Sequence, residues 1–327
     1  MAKKASIIGT GSALPDKVLT NYDLEKMVDT SDEWITERSG IKERRIADEK
    51  TATSDLGLLA SKRAIEDANI DPKEIEIILV GTASPDMLFP STGCVLQSKL
   101  GLGNIPALDV SAACSGFLYG LEVARGLLES GLYKTLLLVG AETLSKLVDW
   151  TDRSTCVLLA DGAGACVLKS LDGERGILST FAAADGSLGE LLYLPAGGSR
   201  NPASAETVEK RMHYIKMRGN EVFKHAVRSM VSGGRIALDR AGLTAEDVDL
   251  FIPHQANMRI IKAAAKRLRV PEEKVFTNIH RVGNTSSASI AICIDEANKE
   301  GRLKEGDIVL LDCFGGGLTW ASAVIRW

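Results

Sequence analysis

Two segments of this chain, 173 residues apart, carry the same pattern. The stretch from Ala68 to Val80 (Ala-Asn-Ile-Asp-Pro-Lys-Glu-Ile-Glu-Ile-Ile-Leu-Val) lies on that from Ala241 to Pro253 (Ala-Gly-Leu-Thr-Ala-Glu-Asp-Val-Asp-Leu-Phe-Ile-Pro). Each reads as a helix end, a turn, an acidic pair and then a buried strand. A second match follows in the same order, with Gly131-Leu-Tyr-Lys before the run at 135 and Gly301-Arg-Leu-Lys before the run at 308. Two matches 170 to 173 apart predict two halves of one architecture. The halves should span 1–172 and 173–327, joined near Ser170–Gly176. A chain of 327 residues is long enough for two such units.

Strand-like and helical runs alternate within each half. Ile75–Val80, Thr135–Val139 and Ile308–Leu311 are short, branched and apolar, as buried strands are. Helical patterns cover Ser54–Ala68, Gly116–Glu129 and Ile290–Lys299. The class is therefore α/β. Pro195–Glu209 is polar and patternless and reads as a surface loop.

Composition removes several functions. A net charge of −4 gives no overall basic field for nucleic acid. The longest stretch without a charged residue is thirteen, as in Val282–Ile294, short of the ~20 apolar residues of a membrane span. The first residues do not form a signal peptide. The six cysteines are scattered, with neither zinc spacing nor a disulfide framework, so a reduced, cytoplasmic protein without a metal is expected. Gly9-Thr-Gly11 lacks the third glycine of a dinucleotide fingerprint, and Gly162-Ala-Gly164 lacks the lysine of a phosphate loop. Neither supports a nucleotide cofactor.

Cys114 sits where a strand ending near Val110 meets a helix beginning near Ser115. A helix start favours thiolate over thiol. Taken alone, a cysteine is more often a small buried hydrophobe. Cys156 and Cys166 fall in apolar strand-like runs and Cys293 in a helix. Of the four histidines, His213 and His225 lie in a charged helical region and His280 in a polar loop. His254 differs, following the strand Val248–Ile252 at an edge where α/β folds place functional groups. Asn284 precedes a small-residue helix, where an asparagine can also be a simple cap. The repeat ties the three together. Cys114 shifted by 170 falls on Asn284, and His254 corresponds to Gly81 at a strand end. A pseudo-two-fold axis would bring both helix starts and His254 to one centre.

The helix from Asn257 to Arg269 carries Arg259, Lys262, Lys266 and Arg269 on one stripe and Ile261, Ala264, Ala265 and Leu268 on another. Such a stripe is commonly a solvated face. Here it begins five residues after His254 and would rim the same mouth, suiting an acidic partner.

The motifs Asp-Val-Ser-Ala-Ala-Cys114-Ser-Gly-Phe, His254-Gln-Ala-Asn257, Gly283-Asn284-Thr285-Ser and Phe314-Gly-Gly-Gly317-Leu-Thr-Trp320 closely resemble those of 3-oxoacyl-[acyl-carrier-protein] synthase III. The resemblance runs from the first strand to Trp327. It implies a thiolase-like fold, with two duplicated halves in a five-layer α-β-α-β-α stack, and a homodimer. It implies an acyltransferase that condenses an acyl-coenzyme A primer, acetyl-CoA first of all, with malonyl-carrier protein, releasing carbon dioxide and starting fatty acid synthesis. Coenzyme A thioester is then a substrate, and no cofactor is required.

By the same resemblance Cys114, His254 and Asn284 are catalytic. The Cys114 N–H, with one at Gly316, forms an oxyanion hole. Thr30, Trp34, Arg38, Arg153, Asn220 and Asn257 hold coenzyme A, with Trp34 and Arg153 on the two faces of adenine. Phe89, reaching across the dimer, and Phe314 bound the acyl pocket. Gln255 joins Arg259, Lys262, Lys266 and Arg269 at the carrier-protein site. Cys313, just before Phe314, leaves a non-decarboxylating thiolase open, because thiolases place a cysteine base there. A cysteine hydrolase or thioesterase and a non-catalytic carrier-binding protein are the other readings.

Overall fold

The computed structural model describes residues 3–327. Strands β1 (Lys3–Ala13), β2 (Ile77–Gly81), β3 (Ala107–Val110), β4 (Thr135–Thr143) and β5 (Asp161–Asp172) form one sheet in the order β1-β5-β4-β2-β3. Strands β6 (Gly176–Ala184), β7 (Leu250–Pro253), β8 (Ile308–Gly315) and β9 (Thr319–Arg326) form another in the order β6-β9-β8-β7. The pairings repeat. In the first sheet β2 runs parallel to β4, while β4–β5 and β5–β1 are antiparallel. In the second, β7 runs parallel to β8, while β8–β9 and β9–β6 are antiparallel. The parallel edge strand β3 is answered by a single bridge between Phe251 and Val275.

Six helices complete the frame around the site: α1 (Asp32–Ser39), α2 (Thr53–Asp67), α3 (Gly116–Glu129), α4 (Gly219–Arg240), α5 (Met258–Leu268) and α6 (Ala288–Lys299). Helix α2 covers the outside of the first sheet and α4, with α5 beside it, the outside of the second. Helices α3 and α6 lie between the sheets, giving the five-layer thiolase-like stack. Their sequences explain this. Helix α6 is buried from Ala288 to Asp295, apolar or small over most of its surface, as a helix with little solvent face must be. Helix α3 buries Phe117, Leu118, Leu121, Ala124 and Leu128. The thirteen-residue uncharged run is thus a core helix and its lead-in.

Two glycines let the inner helices start close to the strand ends. A Cβ at Gly81 would stand 2.5 Å from the Gly116 carbonyl carbon, and one at Gly140 would stand 2.5 Å from the Ser287 carbonyl oxygen. Any larger residue at either place would push a helix start off the first sheet.

Several local expectations need correction. Residues Ala205–Glu209 form a short helix within the expected loop, because Ser204 and Thr207 cap each other reciprocally. Cys156 ends a helical turn, Arg153–Cys156, capped by Asp152, and is not in a strand. His280 lies in the turn Ile279–Val282. His213 precedes α4, its ring bonded to the Thr207 hydroxyl.

Candidate active site

Cys114 occupies a 3₁₀ turn, Ala113–Ser115, that runs directly into α3. Ala113 holds φ at +46°, a conformation costly to a residue with a Cβ and typical of functional turns. Asn284 stands four residues ahead of α6, its backbone pinned to Leu158 and Ala160 at 3.0 and 2.9 Å. His254 follows β7, and its N–H donates to the Asp312 carbonyl at 2.8 Å. All three side chains line one cleft of about 580 Å³.

The polar atoms of that cleft are sorted. Ser289 Oγ lies 2.7 Å from His254 Nδ1, whereas Nε2 is buried with no hydrogen-bond partner among the described residues. Burial lowers the imidazole to about 4, so the ring is neutral at neutral pH. Asn284 Oδ1 accepts the Ser286 N–H at 2.9 Å, leaving its amide nitrogen as the group to offer. Cys114 departs from the helix-start expectation. Burial pushes its thiol up to about 11; the Ser286 hydroxyl counters this, and the Glu142 charge adds to the rise.

Glu142 is a residue that sequence reasoning missed. It is wholly buried near the end of β4. It accepts from Ser84 Oγ at 2.6 Å, Ser287 Oγ at 2.8 Å and the Ala83 N–H at 3.1 Å. The carboxylate therefore ties the β2 exit loop to the turn carrying Asn284. Its one signal was a lone acid in the run Leu-Leu-Leu-Val-Gly-Ala-Glu-Thr. Ser289 was missed as well, hidden among small residues of α6.

Beyond Cys114 an apolar pocket of about 150 Å³ is lined by Leu144, Leu158, Leu159, Ile215 and Met217, with Gly316 and Asn284 also on its wall. Gly315 approaches so closely that a Cβ there would lie 2.7 Å from the Cys114 nitrogen. Phe314 lines the large cleft and not this pocket, which corrects its expected place. Phe89 is 85% exposed and touches neither cavity of its own chain. Cys313 is fully buried and lines neither cavity, bonded to the Ser115 hydroxyl with its thiol held far above the ordinary range by burial. It is a packed small residue and not a base facing the cleft.

Trp34, Arg38, Arg153, Asn220 and Asn257 all line the outer cleft, while Thr30 does not. The Arg38 and Arg153 guanidinium carbons stand 4.7 and 5.1 Å from the Trp34 ring centroid. An aromatic ring sandwiched between Trp34 and Arg153 needs ~7 Å, two contact distances. Arg153, tied to the Asp29 carbonyl at 2.8 Å, must swing aside to admit one. Asn257 caps α5 through the Arg259 N–H and donates to the Arg38 carbonyl at 2.9 Å, so its amide is already engaged.

Gln255 is corrected outright. It is 0% exposed and bonds to Pro253, Asn278 and Ile279, so it cannot meet a carrier protein. Arg259, Lys262, Lys266 and Arg269 are exposed on or just beyond α5. Lys262 pairs with Glu272 at 3.1 Å, and Arg259 lies over the Phe223 ring at the rim of the cleft. Lys224 on α4 also lines the cleft. Arg228 and Arg235 continue that helix beside Arg267. This wider basic face comes from two helices brought together only by folding.

Among the described residues no group of three or more His, Cys, Asp or Glu is arranged to hold a metal ion, and no helix is long and apolar enough to cross a membrane.

Residues 108–186 match the family model of 3-oxoacyl-[acyl-carrier-protein (ACP)] synthase III, and residues 238–327 match the model of its C-terminal part. The chain is 58% identical to the beta-ketoacyl-[acyl-carrier-protein] synthase III of Caldanaerobacter subterraneus, over 99% of this chain and 98% of that one. It is 53% identical to the namesake from Natranaerobius thermophilus, over 99% of each chain. The crystal structure of 3-oxoacyl-[acyl-carrier-protein] synthase III from Aquifex aeolicus superposes with a TM-score of 0.92 at 50% identity, covering 99% of this chain and 100% of that one.

Proposed function

The chain belongs to the 3-oxoacyl-[acyl-carrier-protein] synthase III family, and from that premise we propose how Cys114, His254 and Asn284 divide the family's reaction. It is an acyltransferase, the condensing enzyme that starts fatty acid synthesis. The primer is a short acyl-coenzyme A, acetyl-CoA first, as the small apolar pocket suits. The Cys114 sulfur attacks its thioester carbonyl, and the thiol proton leaves on coenzyme A. The start of α3 and the Ser286 hydroxyl favour the thiolate against burial. Malonyl-carrier protein then binds and loses carbon dioxide. The enolate oxygen accepts from His254 Nε2 and Asn284 Nδ2. With Ser289 Oγ donating to Nδ1 at 2.7 Å, the ring proton sits on Nε2, where the enolate oxygen can accept it. The enolate carbon attacks the acyl group, the resulting oxyanion accepts from the Cys114 and Gly316 N–H groups, and collapse frees the Cys114 thiolate, which regains its proton from water. No dissociable cofactor enters this sequence.

One observation carries the reading: three side chains line one cleft, and the His254 and Asn284 nitrogens offered to it have no other engagement. Mass spectrometry of the intact protein after acetyl-CoA should show one acetyl adduct on Cys114, cleared by malonyl-carrier protein with release of carbon dioxide. An adduct that malonyl-carrier protein leaves in place would defeat it.

We further propose a cytoplasmic homodimer. Met87, Leu88 and Phe89 expose 48%, 79% and 85% of their surfaces in the loop that follows β2, a patch suited to a second copy. Phe89 would then cap the partner's acyl pocket. Thr30 lies outside the cleft, just ahead of the Ser31 cap of α1.

The basic face suits an acidic carrier protein. Lys266→Glu with Arg269→Glu, both outside the coenzyme cleft, should raise the apparent KM for malonyl-carrier protein about ten-fold at low salt and leave acylation by acetyl-CoA nearly unaltered. The defect should shrink as salt screens charges beyond ~8 Å. Equal slowing with both substrates would instead assign the stripe to the fold or the coenzyme cleft.

A further inference from the structure

Arg44 is the largest fully buried side chain among the described residues, and no step of the proposed reaction uses it. It lies within a short antiparallel pair, Val18–Thr20 with Glu43–Arg45. We infer that Arg44 is a positioning residue that holds the two walls of the coenzyme cleft, α1 and the Arg153–Cys156 turn, at the separation the nucleotide end of acetyl-CoA needs. The inference rests on the proposed reading that Trp34, Arg38 and Arg153 hold coenzyme A.

A buried guanidinium is costly unless its acceptors are well placed. Here all three hydrogen bonds go to neutral oxygens. Nη1 donates to the Leu19 carbonyl at 3.0 Å, and Nη2 to Asn21 Oδ1 and the Val157 carbonyl, both at 2.8 Å. Burial lowers the group only to about 10, so it stays charged at neutral pH. Two of the three bonds lead to the cleft walls. Asn21 is also fully buried, and its Nδ2 donates to Asp32 Oδ1 and to the Ile41 carbonyl, both at 2.8 Å. Asp32 opens α1 and Ile41 follows its Gly40 cap, so Asn21 holds both ends of the helix that carries Trp34 and Arg38. Val157 closes the turn that begins at Arg153. Between the walls lie Ile35, Ile41, Cys156 and Val157, whose apolar contacts set no direction. The planar fork of Arg44 does. It also confines the swing of Arg153 to the side chain, because the turn is pinned behind it. Gly283, next to Asn284, packs on the Arg44 stem, where a Cβ would lie 2.8 Å from the Arg44 Cβ. Substitutions that keep the stem therefore leave the Asn284 turn in place.

Two variants test this. Arg44→Lys keeps stem and charge and loses the fork, and Asn21→Ala cuts the link to α1 while leaving the Val157 bond. The readout compares acylation of Cys114 by acetyl-CoA and by acetyl-N-acetylcysteamine, which has the same reacting group and no nucleotide. Both variants should raise the apparent KM for acetyl-CoA on the order of ten-fold. Both should keep the wild-type rate with acetyl-N-acetylcysteamine and the wild-type release of carbon dioxide from malonyl-carrier protein. An unmoved KM for acetyl-CoA in both variants overturns the inference. Equal losses with the two thioesters, or failure of both variants to fold, overturn it as well, since either assigns Arg44 to the fold alone. Trp34→Ala isolates the underlying reading. A KM for acetyl-CoA unmoved in that variant overturns the coenzyme cleft and this inference with it. A KM raised there and unmoved in the other two overturns the inference alone.

Discussion

Cys114→Ala should remove covalent acylation entirely and cut condensation by at least ~1,000-fold, while Cys313→Ala keeps both. The two cysteines differ by environment. Cys114 lies at the junction of the large cleft and the apolar pocket, at the start of α3. Cys313 sits in mid-strand, fully buried, and its thiol is harder to ionise. Release of carbon dioxide from malonyl-carrier protein should survive in Cys114→Ala, because the enolate donors are untouched. Intact-mass labelling and carbon dioxide release measure these separately. Acylation that persists in Cys114→Ala and disappears in Cys313→Ala would reverse the assignment and restore thiolase-like chemistry. A raised thiol at Cys114 adds a second signature. Alkylation of Cys114 should climb about ten-fold per pH unit between about 7 and 9, since the thiolate fraction grows throughout the range below about 11.

The internal repeat made much of this site legible from residues alone. Cys114 and Asn284 pair because their helix starts are equivalent, and β2 and β7 place Gly81 and His254 at matching strand ends. Position along the chain carried that information. Side-chain direction did not follow from it. Gln255 adjoins His254 in sequence but turns inward to satisfy the Asn278 and Ile279 N–H groups. Asn257 reads as a pantetheine contact; it lines the cleft, and its side chain also caps α5. Lys224, Arg228 and Arg235 join the α5 stripe only because α4 packs beside α5, which no spacing rule in one helix reveals. The raised Cys114 thiol was likewise out of reach, since burial depends on the layers above and below.

His254→Ala and Asn284→Ala should each slow malonyl decarboxylation ~100- to 1,000-fold, the usual loss when one preorganised donor to an oxyanion is removed. Acyl transfer from acetyl-CoA should fall much less, since its oxyanion is met by backbone N–H groups. Undiminished carbon dioxide release in both variants would end the enolate role. For His254 a pH measurement separates chemistry from folding. Its folded value is lowered to about 4 by burial, against about 6.5 in an unfolded chain. Between these values the unfolded state binds the proton and the folded state does not. The stabilisation is therefore present in full above about pH 6.5 and is lost as pH falls toward about 4, by about 3 kcal/mol. His254→Ala removes that slope from denaturation curves, whereas Asn284→Ala keeps it. The two variants should thus share a decarboxylation defect and differ in acid stability. That pairing is expected of two donors to one oxygen, of which only one titrates.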